Sequence, residues 1–463
     1  MKKTLLLLAT AAFAVDVPPP LNFPGPTLLP AGKDFPITDY GAVADGKTLN
    51  TDAIQKAIDA AAAAGGGTVV VPKGTFLSGA IFIKKPVNFR VDGTLKGSTE
   101  VKDYPIIDSR FEGIERPVMA AFVNVLNVDG ITVSGEGTID GSGDVWLANF
   151  PRGGRGNAAA SRPAPRVAVA NGPRIVLTPT PDNPPAARLP GGTLMKPRLF
   201  NFTNCHNVAI KDLHLQNQAI WGLHILYCSD VLVDHLDILD PTHRVPSSDG
   251  IDIDSSKRVR VDHTTISVND DCISIKSGKD EDGRRVNRPS EQILIVNTHF
   301  AEGQGGAAMG SEVTGGVHDV EVRDCTADKG NWAPIRLKTQ PTRGGVVENI
   351  VYRNVHVSNV RKAFEFNLAW NMRINTAGEQ HPTSMKNIYL INVSGDARAA
   401  GSMNGLADKP ITDVHFINCN LTANSGLTMS NVERIDTAGL TVKNSAGELL
   451  PPTTTGRGGA EAP

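Results

Sequence analysis

Tryptophan and tyrosine are scarce in this chain, 4 and 5 among 463 residues. Cysteine is scarce as well. The five cysteines are an odd number, and none has the close spacing of a zinc site or a redox motif. Charge of one sign is also missing: Lys plus Arg total 46 against 48 for Asp plus Glu. That balance excludes the concentrated basic face that nucleic-acid or membrane-surface binding requires. A charged partner would have to be recognised locally. No apolar run is long enough to span a bilayer. The opening "MKKTLLLLATAAFAVD" places Lys2 and Lys3 before a short apolar run, and Ala12-Phe13-Ala14 has the small-x-small form of a cleavage site. This predicts a signal peptide over residues 1–14 and an exported protein, periplasmic or secreted.

Glycine (46) and proline (31) are plentiful, which predicts many turns and many short strands. The chain is 40% hydrophobic and 20% charged, a folded rather than a disordered composition. It is also a repeat. The segments "NVAIKDLHL" (207–215), "DVLVDHLDI" (230–238), "RVRVDHTTI" (258–266), "QILIVNTHF" (292–300), "DVEVRDCTA" (319–327), "NIVYRNVHV" (349–357) and "DVHFINCNL" (413–421) share one pattern. Each alternates apolar and polar residues, breaks for two residues, then resumes. Val208, Ile210, Leu213 and Leu215 carry it in the first copy, and Val231, Val233, Leu236 and Ile238 in the second. Period-2 alternation marks strands with one buried face. A unit of this size cannot bury its own apolar face and must stack on its neighbours. The prediction is an all-β chain, a parallel β-helix with one coil per repeat. Cys325 and Cys419 fall on inward positions and read as small core side chains. Cys205 and Cys228 occupy matching places in adjacent coils.

The bare strand edges at the end of such a solenoid need a cover. "NTDAIQKAIDAAAAA" (50–64) is the clearest helix signal, with Ala53, Ile54, Ala57, Ile58 and Ala61 on one face and Asn50 or Thr51 available as a cap. It is the expected N-terminal plug. The expected organisation is a linker over 15–30, a single β-helix domain over 31–450, a long inserted loop over 150–196 and a disordered tail over 451–463.

Each central repeat carries one further short strand: "GLHIL" (222–226), "GIDID" (250–254), "CISIK" (272–276), "PIRLK" (334–338) and "AFEFN" (363–367). Alternation points Leu223, Ile251, Ile253, Ile273, Ile275, Leu337, Phe364 and Phe366 inward. It points His224, Asp252, Asp254, Ser274, Lys276, Arg336, Lys338, Glu365 and Asn367 outward. Stacking turns these into a polar column on one outer face. Asp249, Asp270 and Asp271 stand at the entry to two neighbouring strands of that column. Carboxylates gathered in this way raise the pKa of at least one member. The result is an acid and a base at one pH, the pair that glycosidic hydrolysis needs. Turn capping explains any one of these aspartates but not the three together. Arg336 and Lys338 project from one strand two residues apart. They suit a carboxylate, and so an acidic sugar, or else an ion pair with a neighbour such as Glu365.

At these residues the sequence resembles glycoside hydrolase family 28, the polygalacturonase family of right-handed parallel β-helix enzymes. "SSDG" (247–250) stands at the family's Asn-Thr-Asp motif, "NDDC" (269–272) at its paired aspartates, "GQGG" (303–306) at its Gly-His-Gly, and "IRLK" (335–338) at its Arg-x-Lys. The resemblance implies Asp270 as general acid, Asp249 and Asp271 as the pair that activates water, and Arg336 and Lys338 as binders of the galacturonate carboxylate. It implies inversion at the anomeric carbon, with about 6.5–9.5 Å between carboxyl groups. It implies no metal and no cofactor, and an acidic plant-type polysaccharide as partner. The sequence does not fix whether chains are cut internally or from their ends; walling of one end of the groove by the long 150–196 loop would favour end-cutting. Two positions depart from the family pattern. Ser247-Ser248 replace Asn-Thr, and Gln304 stands where the family has His. Glutamine can hydrogen-bond to sugar but cannot titrate. That keeps rhamnogalacturonan or another branched acidic glycan open as the substrate. A β-helix polysaccharide lyase and a non-catalytic glycan-binding solenoid also stay open, because a fold does not fix a function.

Gln304→His is expected to raise the rate of reducing-end release from polygalacturonate. An unchanged or lower rate would mean that Gln304 is matched to this enzyme's substrate.

Overall fold

The computed structural model describes residues 17–149, 195–370 and 379–455. Nearly all of the expected 150–196 loop lies outside them. Through the central coils a strand pairs in parallel with the third strand after it. The strands Val123–Leu126, Phe200–Thr203, Leu223–Leu226, Ile251–Asp254, Ile273–Lys276, Gly305–Met309 and Ala333–Lys338 form one continuous ladder. His206–Lys211, Ser229–Asp234, Lys257–Asp262 and Ser290–Val296 belong to a second. His214–Gln216, Asp237–Leu239, Thr265–Ser267 and His299–Glu302 belong to a third. Three parallel ladders wound from one chain are a right-handed parallel β-helix.

The repeat pattern sets this register. Val208, Val231 and Val259 are ladder partners, as are Ile210, Val233 and Val261. Every residue predicted to point inward in the short strands lies in one continuous apolar core. Cys325 and Cys419 lie in it too, and all five cysteines are buried free thiols. The Cys205 amide meets the Cys228 sulfur at 3.4 Å, so these two do stack. Left-handed residues such as His235, His263, Asn297 and Asn354 make turns between strands, a conformation that suits Asn and Asp. Turn side chains run on from coil to coil: Asn354 donates to Asp324, Asn392 to Asn354 and Asn418 to Asn392.

The helix Thr51–Ala63 covers the N-terminal end, with Ile54, Ala57, Ile58 and Ala61 in the core. Asn50 stands at its N-cap but makes no side-chain cap. Its side-chain amide is spent on Val43, Thr48 and Leu77, tying the entry loop to the next coil. Two expected boundaries change. The 15–30 segment is not a free linker over its described part. It runs outside the coils, with Pro18 O accepting from Arg353, Leu21 N donating to Glu321, Thr27 N to Asn207, and Pro30 O accepting from Asn88. The C-terminal tail is not wholly irregular, because Thr453–Thr455 forms a strand against Thr428–Ser430.

Among the described strands, one pair breaks the parallel pattern: the antiparallel hairpin of Ile106–Phe111 and Ile114–Met119. It folds back over the outer face of the short-strand ladder. There Arg110 reaches Asp254 at 2.8 Å with both side chains wholly buried. Its tip, Gly113, accepts from Lys279 N at 3.0 Å. The column expected on an open surface is therefore covered at this end. His224, Asp252 and Asp254 are outward in the strand sense yet fully buried.

Removing one partner of a buried ion pair strands the other charge, a cost of about 3–5 kcal/mol. Arg110→Ala is expected to lower stability by that amount in urea titration, and Asp254→Asn added to it is expected to recover part of the loss.

Candidate active site

The register of the short-strand ladder builds the site. Ile251 pairs with Ile273 and Ile273 with Ala307. Two residues upstream of these partners stand Asp249, Asp271 and Gly305. Gly250 N donates to Asp271 O at 3.0 Å, and Gln304 N to Asp270 O at 2.8 Å. The glycines are needed for closeness. A Cβ on Gly305 would come 2.8 Å from Asp271 Oδ1, and one on Gly303 would come 2.7 Å from Cys272 Sγ.

The three aspartates expected to work together do meet. One carboxylate oxygen from each lies within 4.8 Å of the others. This is tighter than the expected 6.5–9.5 Å, because Asp249 and Asp271 stand at matching places in coils stacked at about 4.8 Å and Asp270 is the chain neighbour of Asp271. Asp249 and Asp271 are buried, and Asp270 alone is part-exposed. Asp270 Oδ1 accepts from the Asp271 amide at 3.0 Å. Burial, and after it the charge of Asp271, raises the Asp270 pKa. Burial, then Asp252 and Asp270, pushes Asp249 well above the usual carboxylate range.

Arg336 and Lys338 face the same point from two coils further on. Lys338 Nζ lies 2.5 Å from Asp271 Oδ2, and Arg336 Nη1 lies 3.5 Å from Asp271 Oδ1. Arg336 Nε also meets Glu365 at 3.2 Å, so the ion pair with Glu365 forms beside the site as well. Trp370 lies over the Lys338 ammonium at 4.8 Å. Gln304 is exposed and lends its backbone oxygen to Arg336 at 3.3 Å.

Beneath the aspartates lies a second charge cluster. Lys276 Nζ is 3.6 Å from Asp249, 3.4 Å from Asp252 and 3.4 Å from Glu312. Burial opposes its charge, but Glu312, Asp252 and Asp249 outweigh burial and hold the ammonium well above its ordinary pKa. Burial raises Glu312, but Lys276, Arg343 and Lys279 with a backbone hydrogen bond together lower it further, to about 2. Burial pushes Asp252 up to about 7 against the pull of Lys276.

Toward the N-terminal end, Trp221 stands one coil before Asp249, with Gly222 N donating to Asp249 O at 2.8 Å. The Phe111 ring packs against it at 4.6 Å. His224, behind Trp221, is lowered to about 4 by burial. Nothing in the repeat pattern had singled out Glu312, Trp221 or Trp370. Trp221 precedes its strand as Asp249 precedes the next, so register could have found it. Glu312 and Trp370 follow strands in loops of no fixed period.

The three aspartates are spaced to gather a cation, but Lys276, Lys338 and Arg336 already supply positive charge there. Asp234, His235 and His263 form a second close group on the exterior. Its imidazoles stack at 4.7 Å as part of the turn ladder. Among the described residues no helix is long and apolar enough to cross a membrane.

The sequence profile of "Glycosyl hydrolases family 28" matches residues 190–444, more than half of the chain. That of "Rhamnogalacturonase A/epimerase, pectate lyase-like" matches residues 35–125, a stretch that holds none of the three aspartates. A Vitis vinifera protein named "Probable polygalacturonase" is 26% identical over 398 residues, covering 82% of this chain and 73% of that protein. An "Exo-poly-alpha-D-galacturonosidase" of Dickeya chrysanthemi is 27% identical over 347 residues, covering 70% of this chain and 55% of that protein. The crystal structure of a hyperthermoactive exopolygalacturonase from Thermotoga maritima superposes with a TM-score of 0.76 at 24% identity, covering 93% of each chain. With the aspartates, the arginine and the lysine gathered on one ladder, and with more than half of its length matched, the chain belongs to glycoside hydrolase family 28.

Proposed function

We propose that this glycoside hydrolase cleaves galacturonan of pectic type, with Asp270 as general acid and Asp249 and Asp271 as the pair that activates water. The observation that carries the proposal is the meeting of these three carboxylates within 4.8 Å beside Arg336 and Lys338. Asp270 is the part-exposed member, the one a glycosidic oxygen can reach, and its raised pKa suits an acid. Asp271 is held in place by two cations. Arg336 and Lys338 are the cations that a uronate carboxylate would meet on entering. Gln304 is an exposed side chain beside this path and offers the sugar a neutral hydrogen-bonding group. Export follows from the N-terminal segment, as its residues alone suggest.

Inverting hydrolysis is the reading we favour despite the short spacing. Close carboxylates suit a retaining enzyme when one of them is free to attack. Here Asp271 is pinned by Lys338 and Arg336 and Asp249 is buried, so neither is a free nucleophile.

Cleavage from chain ends is the mode that the hairpin supports. Phe111 and Trp221 wall the column one coil before Asp249, and the hairpin tip is fastened to Lys279. A polysaccharide threaded in both directions would meet that wall. The 150–196 loop, expected to form such a wall, lies almost wholly outside the described residues.

Incubation with polygalacturonate, methylated pectin, rhamnogalacturonan and short galacturonate oligomers is expected to give new reducing ends without ultraviolet absorbance, most on polygalacturonate. Asp270→Asn is expected to lower this rate at least 100-fold, at the lower end of about 10²–10⁴ for a general acid. Absorbing products would instead establish a lyase, and no product from any glycan would leave a binding solenoid.

Proton NMR of the fresh digest is expected to show the opposite anomer from the bond cleaved, and size analysis a single short product from the first minutes. The retained anomer would overturn inversion. An early ladder of sizes would overturn chain-end action.

A further inference from the structure

We propose that Lys276 is a positioning residue of the hydrolysis, holding the buried Asp249 carboxylate in place as the base from beneath. The proposal rests on the assignment of Asp249 as a base made above. Lys276 does not face the sugar path. It stands in the ladder beside Asp254, and the pairing of its strand with the next coil ends one residue earlier, at Ile275 with Met309. Glu312 enters the space from the following loop. The ammonium then has carboxylates at 3.4–3.6 Å from three directions, Asp249, Asp252 and Glu312. The Trp221 ring lies over it at 4.9 Å. This cage fixes Nζ, and through it the Asp249 Oδ2 that it meets.

The charge count makes the contact matter for chemistry. Three anions around one buried cation are too many to be all ionised at low cost. Asp249 and Asp252 both give way: burial pushes each up, the charge of Asp252 pushes Asp249 further, and Lys276 is the cation that opposes the rise in both. Asp252 is wholly buried, and neither of its oxygens accepts a well-aligned hydrogen bond from a described residue. Lys276 Nζ, at 3.4 Å, is the cation paired with it among the described residues. With a pKa of about 7, Asp252 carries a proton in the acidic range. Glu312, at about 2, remains charged there. Asp271 is matched by Lys338 and Arg336, and Asp270 is held toward its protonated form. Further groups lie one contact away. Lys279 and Arg343 face Glu312, Arg110 and His224 face Asp254, and Arg198 faces both Asp252 and Asp254. Among the described residues Asp249 thus has one cation in direct reach, Lys276, and it needs that cation to accept a proton from water.

The sign of each substitution follows. Removing the Lys276 charge raises the pKa of Asp249, so the acid limb of the kcat/KM profile must move to higher pH. An opposite charge within about 4–6 Å is worth about 1–3 pH units. Removing the Glu312 charge takes away a competing anion, so the same limb must move to lower pH. Lys276→Arg keeps the charge.

The test is the pH profile of polygalacturonate hydrolysis for wild type, Lys276→Met, Lys276→Arg and Glu312→Gln, with circular dichroism and Tm recorded for each. The expected result is an acid limb raised by about one unit or more in Lys276→Met, near the wild-type position in Lys276→Arg, and lowered in Glu312→Gln. A uniform loss in Lys276→Met at every pH, with the limb in place, would overturn the proposal and leave Lys276 a structural ion pair. So would Glu312→Gln moving the limb upward. Should Lys276→Met fail to fold, the opposite shift expected of Glu312→Gln decides alone. Wild type inactive on every galacturonan would instead overturn the assignment of Asp249, a result distinguishable from an unmoved limb.

Discussion

The spacing between stacked strands, about 4.8 Å, is the constraint from which the rest follows. It brings each side chain of one coil onto the equivalent side chain of the next. For apolar residues this makes a continuous core out of units that have none of their own. For polar residues it makes ladders, as in the turns where Asn418, Asn392, Asn354 and Asp324 hand one hydrogen bond to the next. For acids it forces repulsion. Asp249 and Asp271 occupy the same place in adjacent coils, and their carboxylates cannot avoid each other. The fold thus places like charges together at a fixed distance.

Compensation for this repulsion comes from further along the same ladder. Lys338 and Arg336 lie two coils beyond Asp271 and reach back across the gap that Gly305 leaves open. Lys276 lies at the end of the strand that Asp270 and Asp271 precede, and it meets Asp249 from beneath. The cations that neutralise the acids include those that an acidic sugar would meet. Under the proposed function, binding of a uronate and ionisation of the aspartates would be coupled through these shared partners. A site built in this way is expected to be strongly pH-dependent.

The hairpin of residues 106–119 shows the limit of the repeat. An outward side chain in a β-helix is solvent-facing only where nothing lies over it. Arg110 and its neighbours turn one end of the polar column into a buried ionic cluster, and Phe111 with Trp221 makes a wall there. No periodicity announces this, since the hairpin is antiparallel and belongs to no coil.

Local sequence settled the strands, their inward faces, the capping helix and the grouping of Asp249, Asp270, Asp271, Arg336 and Lys338. Each of these depends on alternation or on matching places in successive repeats, and both are written in neighbouring residues. The resemblance to family 28 supplied roles that spacing alone did not. The tertiary structure decided what covers the column, how closely the carboxylates approach, and that Glu312 and Trp221 join Lys276 beneath them. It also laid the N-terminal segment along the coils and gave Thr453–Thr455 a strand partner. Those contacts join residues tens to hundreds of positions apart through loops without a period. Only the path of the whole chain brings them together.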